Sequence, residues 1–184
     1  MYVFLIPILL FSIVGIVSLK AKSNKEKIEP TAEGINWITI EQAEQLSKTK
    51  PKKIMIDLYT SWCGWCKVLD EKTYSDPKVY NYINEHFYAV KFDAERKDDV
   101  VFQGKTYSFN PSLSRNGCHQ LAFDWGNTNS KIGYPTIVYL DENFTKLESD
   151  PGYKEVPAML EKIKYYGSGS HKTMNWQQYQ QSGN

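Results

Sequence analysis

The chain has 184 residues, enough for one domain of ordinary size with short extensions, and 41% of them are hydrophobic, so global disorder is not expected. Its 22 basic and 21 acidic residues nearly cancel, which leaves no basic footprint for a nucleic acid. The 3 cysteines, one close pair and one distant residue, are too few for a small secreted scaffold held by disulfides. The pair therefore indicates chemistry more than architecture.

The chain begins with an almost wholly apolar stretch, residues 2–19, that carries no charge. Its length fits a secretory signal or a short membrane-spanning helix, although no Lys or Arg precedes it. We therefore expect export, with residues 1–21 as a signal peptide or an uncleaved N-terminal anchor. The protein would then be extracytoplasmic, either periplasmic or membrane-anchored. The polar residues 22–34 are predicted to form a linker to the domain.

The predicted order of elements over residues 35–166 is βαβαβ, an insertion, and then ββα. The run 53–59 is too continuous to alternate, as expected of a strand covered on both faces of a parallel or mixed sheet. Thr39 is predicted to cap the first helix, and Pro77 opens another helix. The predicted strands are 35–39, 53–59, 88–93, 136–140 and 146–149, and the predicted helices are 40–49, 67–72, 77–87 and 156–166.

A long insertion, about residues 95–131, interrupts this order, and connections of such length are often functional. It is predicted to contain a hairpin around Gly104 and a helix over 118–125, which would hold Cys118 as a half-buried thiol. The C-terminal tail, residues 167–184, is rich in Gly, Ser and Gln. It is expected either to fray or to form one short helical turn.

Cys63 and Cys66 directly follow a buried run, and such a pair can ligate a metal, staple a loop or form a reversible disulfide. A zinc site needs four ligands, and Cys118 with His119 would have to complete it, although adjacent side chains seldom reach one metal. No metal site is therefore predicted. A thiolate is the attacking species, and a helix start stabilises an anion by about 0.3–1 kcal/mol or more. We expect Cys63 to be the nucleophile and Cys66, one turn into the helix, to resolve the mixed disulfide.

The segment Trp62-Cys63-Gly64-Trp65-Cys66-Lys67, with Gly133-Tyr134-Pro135-Thr136 at the head of a later strand, resembles the thioredoxin superfamily. The resemblance covers roughly residues 37–166 and extends to exported or membrane-anchored bacterial thioredoxin-like proteins with a long insertion. It implies an α/β fold, a thioredoxin-like three-layer α/β/α sandwich. The central sheet would be mixed, with the insertion before the cis-proline strand.

Asp57, which lies inside the run before the cysteines, matches the buried acid of thioredoxins. Burial is expected to raise its pKa, so that it can accept and donate a proton for Cys66 during resolution. The alternative is an acid that only satisfies local amides. Where thioredoxins often carry a lysine near this acid, the alignment puts Ala89, with Lys91 two residues further on, so the tuning of Asp57 is expected to differ.

The resemblance also implies a substrate site around Pro135. Few X-Pro bonds are cis, so the residues alone predict a trans bond, whereas the resemblance predicts cis. The backbone of Tyr134 would then pair with an extended substrate strand. Gly64 and Trp65 replace the Gly-Pro of thioredoxins. Together with Trp62 they form either an apolar surface for a partner or part of the local packing.

The sequence thus predicts a thiol–disulfide oxidoreductase that exchanges its dithiol with cysteine pairs of protein partners. An upstream redox protein would supply or remove electrons, and residues 2–19 could anchor the chain to a membrane. No cofactor is implied, because both electrons reside on sulfur, and no nucleic-acid partner is expected. Reductase, oxidase and isomerase activities are not distinguished. The alternative is a thioredoxin-fold binding or chaperone-like module that turns over nothing.

Overall fold

The computed structural model describes Met1 and residues 33–183. The predicted signal peptide or anchor and most of the predicted linker lie outside these residues. In the part of the chain that is described, no helix is both long and apolar enough to cross a membrane.

The described elements alternate strands and helices in the predicted order, with additional short strands inside the insertion. The strands are β1 (Trp37–Ile38), β2 (Lys53–Tyr59), β3 (Phe87–Asp93), β4 (Val100–Phe102), β5 (Lys105–Tyr107), β6 (Phe109–Asn110), β7 (Cys118–His119), β8 (Thr136–Leu140) and β9 (Lys146–Pro151). The helices are α1 (Ile40–Ser47), α2 (Gly64–Leu69), a π-helical turn (Asp70–Tyr74), α3 (Pro77–His86), α4 (Gln120–Gly126), α5 (Val156–Gly167), a 3-10 turn (Ser170–Lys172) and α6 (Trp176–Gln181).

The central sheet has the strand order β1-β3-β2-β8-β9. Strand β3 runs parallel to β1 and β2, whereas β8 runs antiparallel to both β2 and β9. Strand β2 therefore lies in the middle, and six of its seven residues are buried. A continuous apolar run suits this position, because both faces of a central strand are covered.

Alternate residues of β2 point to two different helical layers. The α1 face of the sheet, which contains Ile54, Ile56 and Leu58, packs against α1, α4 and the β4–β5 hairpin. The α3 face, which contains Met55, packs against α2, α3 and α5. Because residues two apart share a face, Asp57 belongs to the α3 face. The predicted three-layer α/β/α sandwich with a mixed sheet is confirmed.

Local capping signals explain where the helices begin. Thr39 and Gln42 form a reciprocal capping box at α1, and Asp76 caps α3 with Pro77 in the first turn. Several predicted boundaries were wrong by one or two residues: α1 ends at Ser47, Phe87 leaves the helix to begin β3, β9 continues to Pro151 and α5 to Gly167. Phe87 is extended because it pairs in parallel with β2.

The first strand is also shorter than predicted, at two residues, and the helix predicted over 67–72 is α2 followed by the π-helical turn.

The insertion contains the predicted hairpin, with Gln103 and Gly104 at positive φ in its turn. The helix predicted over 118–125 begins two residues late. Cys118 pairs with β6 in an antiparallel bridge, and the His119 imidazole then caps α4 by accepting the N–H of Leu121. Cys118 is thus a strand residue and wholly buried, not a half-buried helical thiol.

The tail folds back onto α5 as a short helix rather than fraying. Asn175 and Gln178 form a capping box at α6, and Tyr179 is buried. The hydroxyl group of Tyr165 donates to the carbonyl of Met174.

Candidate active site

The dithiol lies where β2 passes into α2. Cys63 caps the helix, and its Sγ accepts the backbone N–H of Cys66 at 3.1 Å. Cys63 and Cys66 form a disulfide. Cys63 therefore lies at the helix start, where a nucleophile was expected, and an amide donor is directed at its sulfur. The exposed fraction of Cys63 is only 4%.

Two tryptophans flank this sulfur and are largely exposed. Trp62 is 58% exposed and Trp65 is 61% exposed. The indole N–H of Trp62 donates to Glu95, and the ring of Trp65 lies 5.4 Å from that of Tyr153. Neither indole is part of the buried core, so the alternative that both are packing residues is not favoured. Gly64 begins α2, and a Cβ there would meet no atom within 4 Å.

The proline segment lies beside the dithiol because of the sheet register. Leu58 of β2 pairs with Thr136 of β8, which brings the start of β8 next to the end of β2. The Tyr134–Pro135 peptide bond is cis, and the Tyr134 ring meets the Trp62 ring edge-on at 6.0 Å. Within residues 33–183, the backbone N–H and C=O of Tyr134 make no hydrogen bond.

Asp57 is wholly buried in β2. Its surroundings carry more charge than the resemblance to thioredoxins suggested, since that resemblance put Ala89 near it. The parallel register sets Asp57 opposite Lys91, whose Nζ lies 3.3 Å from Oδ2 of Asp57. Lys91, not Ala89, is therefore the β3 residue opposite this acid. The Lys91 ammonium group is directed at Asp70, to which it donates a hydrogen bond. Apart from its ion pair with Lys91, the Asp57 carboxylate has no hydrogen-bond partner among the described residues.

Burial raises the pKa of Asp57 to about 6, although the nearby Lys91 ammonium group opposes this rise and Asp70 adds to it. Lys91 also lies against the rings of Trp37, Tyr59 and Tyr74. It lines, with Asp70, an open recess of about 430 Å³ on the protein surface. Asp57 is thus separated from solvent by one partly exposed ammonium group.

Asp70 was not identified from the sequence. Its position, four residues after Cys66 and therefore one helical turn further along, was the available signal. Its contact with Lys91 depends on the pairing of β2 with β3, which is a long-range property of the fold.

A second polar cluster lies on the other side of the sheet. The Sγ atom of Cys118 lies 3.8 Å from the hydroxyl oxygen of Tyr134, which joins the insertion to the proline segment. Burial raises the pKa of Cys118 and lowers that of His119. Both side chains are therefore neutral near pH 7. Across residues 33–183, no three side chains of the kind that ligate metals come together, and Cys63 and Cys66 are bonded to each other.

Comparison with known proteins places this site in a family. The family model Thioredox_DsbH, described as "Protein of unknown function, DUF255", matches residues 20–121. This match covers more than half of the chain, including the dithiol, Asp57, Lys91 and Cys118. The chain belongs to the DUF255 family. The match ends before Tyr134 and Pro135, so the proline segment is supported by the geometry alone.

Part of the chain is also similar to a longer, named relative. The chain is 29% identical over 110 residues to the thiol:disulfide interchange protein DsbD of Campylobacter jejuni (strain RM1221). The matched region is 59% of this chain and 18% of that protein. The DUF255 chain thus spans less than a fifth of the length of this relative.

Two solved structures share the fold at low sequence identity. A thioredoxin-fold protein from Helicobacter pylori has a TM-score of 0.53 at 17% identity, covering 70% of the DUF255 chain and 82% of its own. A structure titled "DsbH Oxidoreductase" has a TM-score of 0.52 at 19% identity, with coverages of 80% and 95%. Together they establish the thioredoxin fold.

Proposed function

We propose that this protein is a thiol–disulfide oxidoreductase that exchanges the Cys63–Cys66 pair with cysteine pairs of protein partners. The observation that carries the proposal is the position of Cys63 at the start of α2, with the amide N–H of Cys66 directed at its sulfur. This donor and the helix terminus stabilise a thiolate, the form that attacks a disulfide. Cys66, which follows one turn later and is as deeply buried, is the resolving thiol.

Asp57 is assigned the proton transfers that resolution requires. Cys66 must lose a proton before it attacks the mixed disulfide, and it regains one only when the Cys63–Cys66 disulfide is itself reduced again. A carboxylate with a pKa of about 6 is mostly ionised near pH 7 yet close enough to exchange protons efficiently. Lys91 and Asp70 connect this carboxylate to the solvent-facing recess. We expect Asp57→Asn to slow resolution far more than the initial attack.

The partner is proposed to bind as an extended strand. The backbone N–H and C=O of Tyr134, just before the cis peptide bond, have no hydrogen-bond partner in the described chain and suit strand addition. Trp62, which directly precedes Cys63, and Trp65, which follows Gly64, offer exposed apolar area beside the reacting sulfur. Aromatic side chains of this kind are enriched where proteins dock. Pro135 shapes the segment that presents these groups.

The cellular setting belongs to the same proposal. The apolar residues 2–19 support export or membrane anchoring, and exchange outside the cytoplasm would require an upstream redox protein. Matches to the DsbD of Campylobacter jejuni support an interchange role. The direction of electron flow is to be found by equilibrium titration against glutathione, in which about 30 mV corresponds to about 1.4 kcal/mol.

The decisive experiment uses two matched serine variants. The Cys66→Ser protein should accumulate a mixed disulfide with a disulfide substrate such as insulin, because attack proceeds and resolution does not. The Cys63→Ser protein should accumulate none and should lose insulin reduction. Equal trapping by both variants, or by neither, would contradict the assignment of Cys63 as the nucleophile.

A second candidate function, a binding module without turnover, is favoured by the 4% exposure of Cys63 beside two exposed tryptophans. Such a module would bind its partner as tightly after Cys63→Ser as before. It would lose affinity when Trp62 and Trp65 are both replaced by alanine. If the wild-type chain binds a partner but exchanges no disulfide with it, that result would support the binding module over the enzyme.

A further inference from the structure

A recess next to the dithiol, called here the insertion recess, is bounded by Trp62 and Tyr134 on the active-site side and by Glu95, Arg115 and Asn116 on the insertion side. Its volume is about 460 Å³, which is enough for a small amino-acid derivative. The mechanism proposed above uses no side chain from the insertion, so it assigns no role to the insertion side of this recess.

The walls of the insertion recess are held in place by specific contacts. The Trp62 indole donates to Glu95 at 3.0 Å and meets Tyr134 edge-on. On the opposite wall, the Ser114 hydroxyl donates to the carbonyl of Gly117 at 2.6 Å. Gly117 lies under the Phe109 ring with a φ of 78°, where a Cβ would come within 2.1 Å of that ring. The recess is therefore built into the fold at both sides.

Arg115 and Glu95 carry opposite charges in this recess but form no ion pair with each other. Over residues 33–183, the Arg115 guanidinium group makes no ion pair and no hydrogen bond, and it is exposed. Glu95 accepts one hydrogen bond from Trp62 through Oε2 and forms no ion pair in the same part of the chain. The amide of Asn116 is also free of hydrogen bonds among these residues.

A ligand that satisfies this recess carries a carboxylate for Arg115 and an ammonium group for Glu95, with the rings of Trp62 and Tyr134 available to the cation. An internal stretch of protein chain has neither terminal charge, whereas a free α-amino acid has both. The nearby dithiol restricts the ligand further, because only a disulfide or thiol can react there.

We infer that the insertion recess binds one zwitterionic half of a low-molecular-weight α-amino-acid disulfide, with cystine as the probe, and presents its S–S bond to Cys63. This inference rests on the proposed function. It adds a small-molecule substrate class to the protein partners.

The exchange balances without a further reactant when the protein starts in its dithiol form. The Cys63 thiolate attacks one sulfur of cystine, the S–S bond of cystine breaks, and one cysteine leaves as a thiolate that takes up a proton. The Cys66 thiolate then attacks the mixed disulfide and releases the second cysteine. The protein dithiol loses two electrons and two protons, which reduce one cystine to two cysteines.

The test measures second-order rates at which four disulfides oxidise the fully reduced full-length chain. The probes are cystine, cystamine with cationic ends, dithiodipropionate with anionic ends, and neutral bis(2-hydroxyethyl) disulfide. Each rate is divided by that of the same probe with free mercaptoethanol, which removes differences in leaving-group chemistry. Each exposed ion pair contributes at most a few-fold, and cystine can form two of them, so we expect cystine to exceed the neutral probe by about tenfold after this correction.

Three variants assign the preference to particular charges. Arg115→Gln should lower the ratio of cystine to the neutral probe by about threefold and lower that of dithiodipropionate similarly. Glu95→Gln keeps an acceptor for the Trp62 indole and should lower the ratios of cystine and cystamine instead. Lys164→Gln removes an exposed cation on α5 and should leave every ratio unchanged.

Equal corrected rates for all four probes, or equal ratios in the Arg115→Gln and Lys164→Gln proteins, would overturn the inference while the oxidoreductase proposal stands. Failure of every disulfide to oxidise the reduced protein would overturn both. The neutral probe thus separates the two failures.

Discussion

The two faces of the central sheet differ in whether their buried polar groups are charged or neutral. On the α3 face, Asp57 is buried beside the Lys91 ammonium group, and Lys91 is shared with Asp70. On the α1 face, Cys118 and His119 are equally buried, but burial shifts the pKa of each toward its neutral form. A buried charge is costly unless it is paired, and Lys91 provides that pairing for Asp57 on the α3 face.

This difference separates three cysteines that are all nearly inaccessible. Cys63 and Cys66 lie at a helix start with an amide donor at the sulfur of Cys63, whereas Cys118 has only a weak contact with the Tyr134 hydroxyl group. We therefore expect the electrostatic surroundings, and not burial alone, to decide which thiol reacts.

The largest expected effect is on thiol reactivity. In the fully reduced chain, iodoacetamide should alkylate Cys63 about 100-fold faster than Cys118. Burial raises the pKa of Cys118, and each unit of pKa lowers the thiolate fraction about tenfold. Cys118 is also fully buried in the core, which limits access of the reagent. Peptide mass spectrometry after quenching at graded times measures both rates. The fast phase should disappear in Cys63→Ser and persist in Cys118→Ala; comparable rates at the two positions would break the comparison.

The next effect is on stability and tests the charged face. The pKa of Asp57 is about 6 in the folded chain and near 3.8 when unfolded, a gap of about two pH units, or about 3 kcal/mol. The folded state therefore holds this proton more tightly than the unfolded state, and stability falls as pH rises from about 4 to 6. Asp57→Asn should stabilise the oxidised protein by up to about 3 kcal/mol at pH 8, and this gain should vanish near pH 4.

Urea unfolding at several pH values measures this gain. Asp70→Asn, which changes a partly exposed carboxylate of the same ion-pair cluster, should alter stability by less than about 1 kcal/mol. A gain for Asp57→Asn that does not depend on pH would mean that Asp57 is not the titrating group.

The predicted and observed structures differ where contacts are long-range. Runs and caps are local, so β2 and β8 have the predicted bounds, and Pro77 opens α3 as expected. The pairing of Asp57 with Lys91 depends on strand register, which no local pattern encodes, and the alignment placed Ala89 there instead.

The candidate site divides in the same way. Cys63, Cys66 and Asp57 were identified because each belongs to a short motif in one stretch of chain. Glu95 and Arg115 were missed because their meeting with Trp62 and Tyr134 requires the insertion to fold back over the end of the sheet. Cys118 was placed in a helix because the capping role of His119 and the pairing with β6 are invisible without the tertiary fold.

A smaller effect is expected from glycine substitutions in the insertion. Gly117→Ala introduces a Cβ within 2.1 Å of the Phe109 ring at a φ of 78°, and should destabilise the protein by about 2 kcal/mol. Gly104→Ala is the matched control, because its φ is 73° but nothing lies within 4 Å of the added atom, so only the backbone term of about 1 kcal/mol applies. Urea unfolding should give a lower free energy of unfolding for Gly117→Ala than for Gly104→Ala. Equal decreases in the two variants would show that the Phe109 ring moves aside freely.

The smallest effect is expected at Cys118 itself and tests the neutral face most directly. Cys118→Ala removes a buried sulfur and a 3.8 Å contact with the Tyr134 hydroxyl group, so the free energy of unfolding should fall by about 1 kcal/mol. Cys118→Val fills the space without a polar atom, and it should recover most of that loss if packing is what Cys118 contributes. Oxidation of the dithiol by bis(2-hydroxyethyl) disulfide should change by less than about twofold in both variants, since a contact this weak carries little energy. A larger fall in both would mean that the Cys118 thiol takes part in exchange, and the contrast between a charged, reactive face and a neutral, structural one would no longer hold.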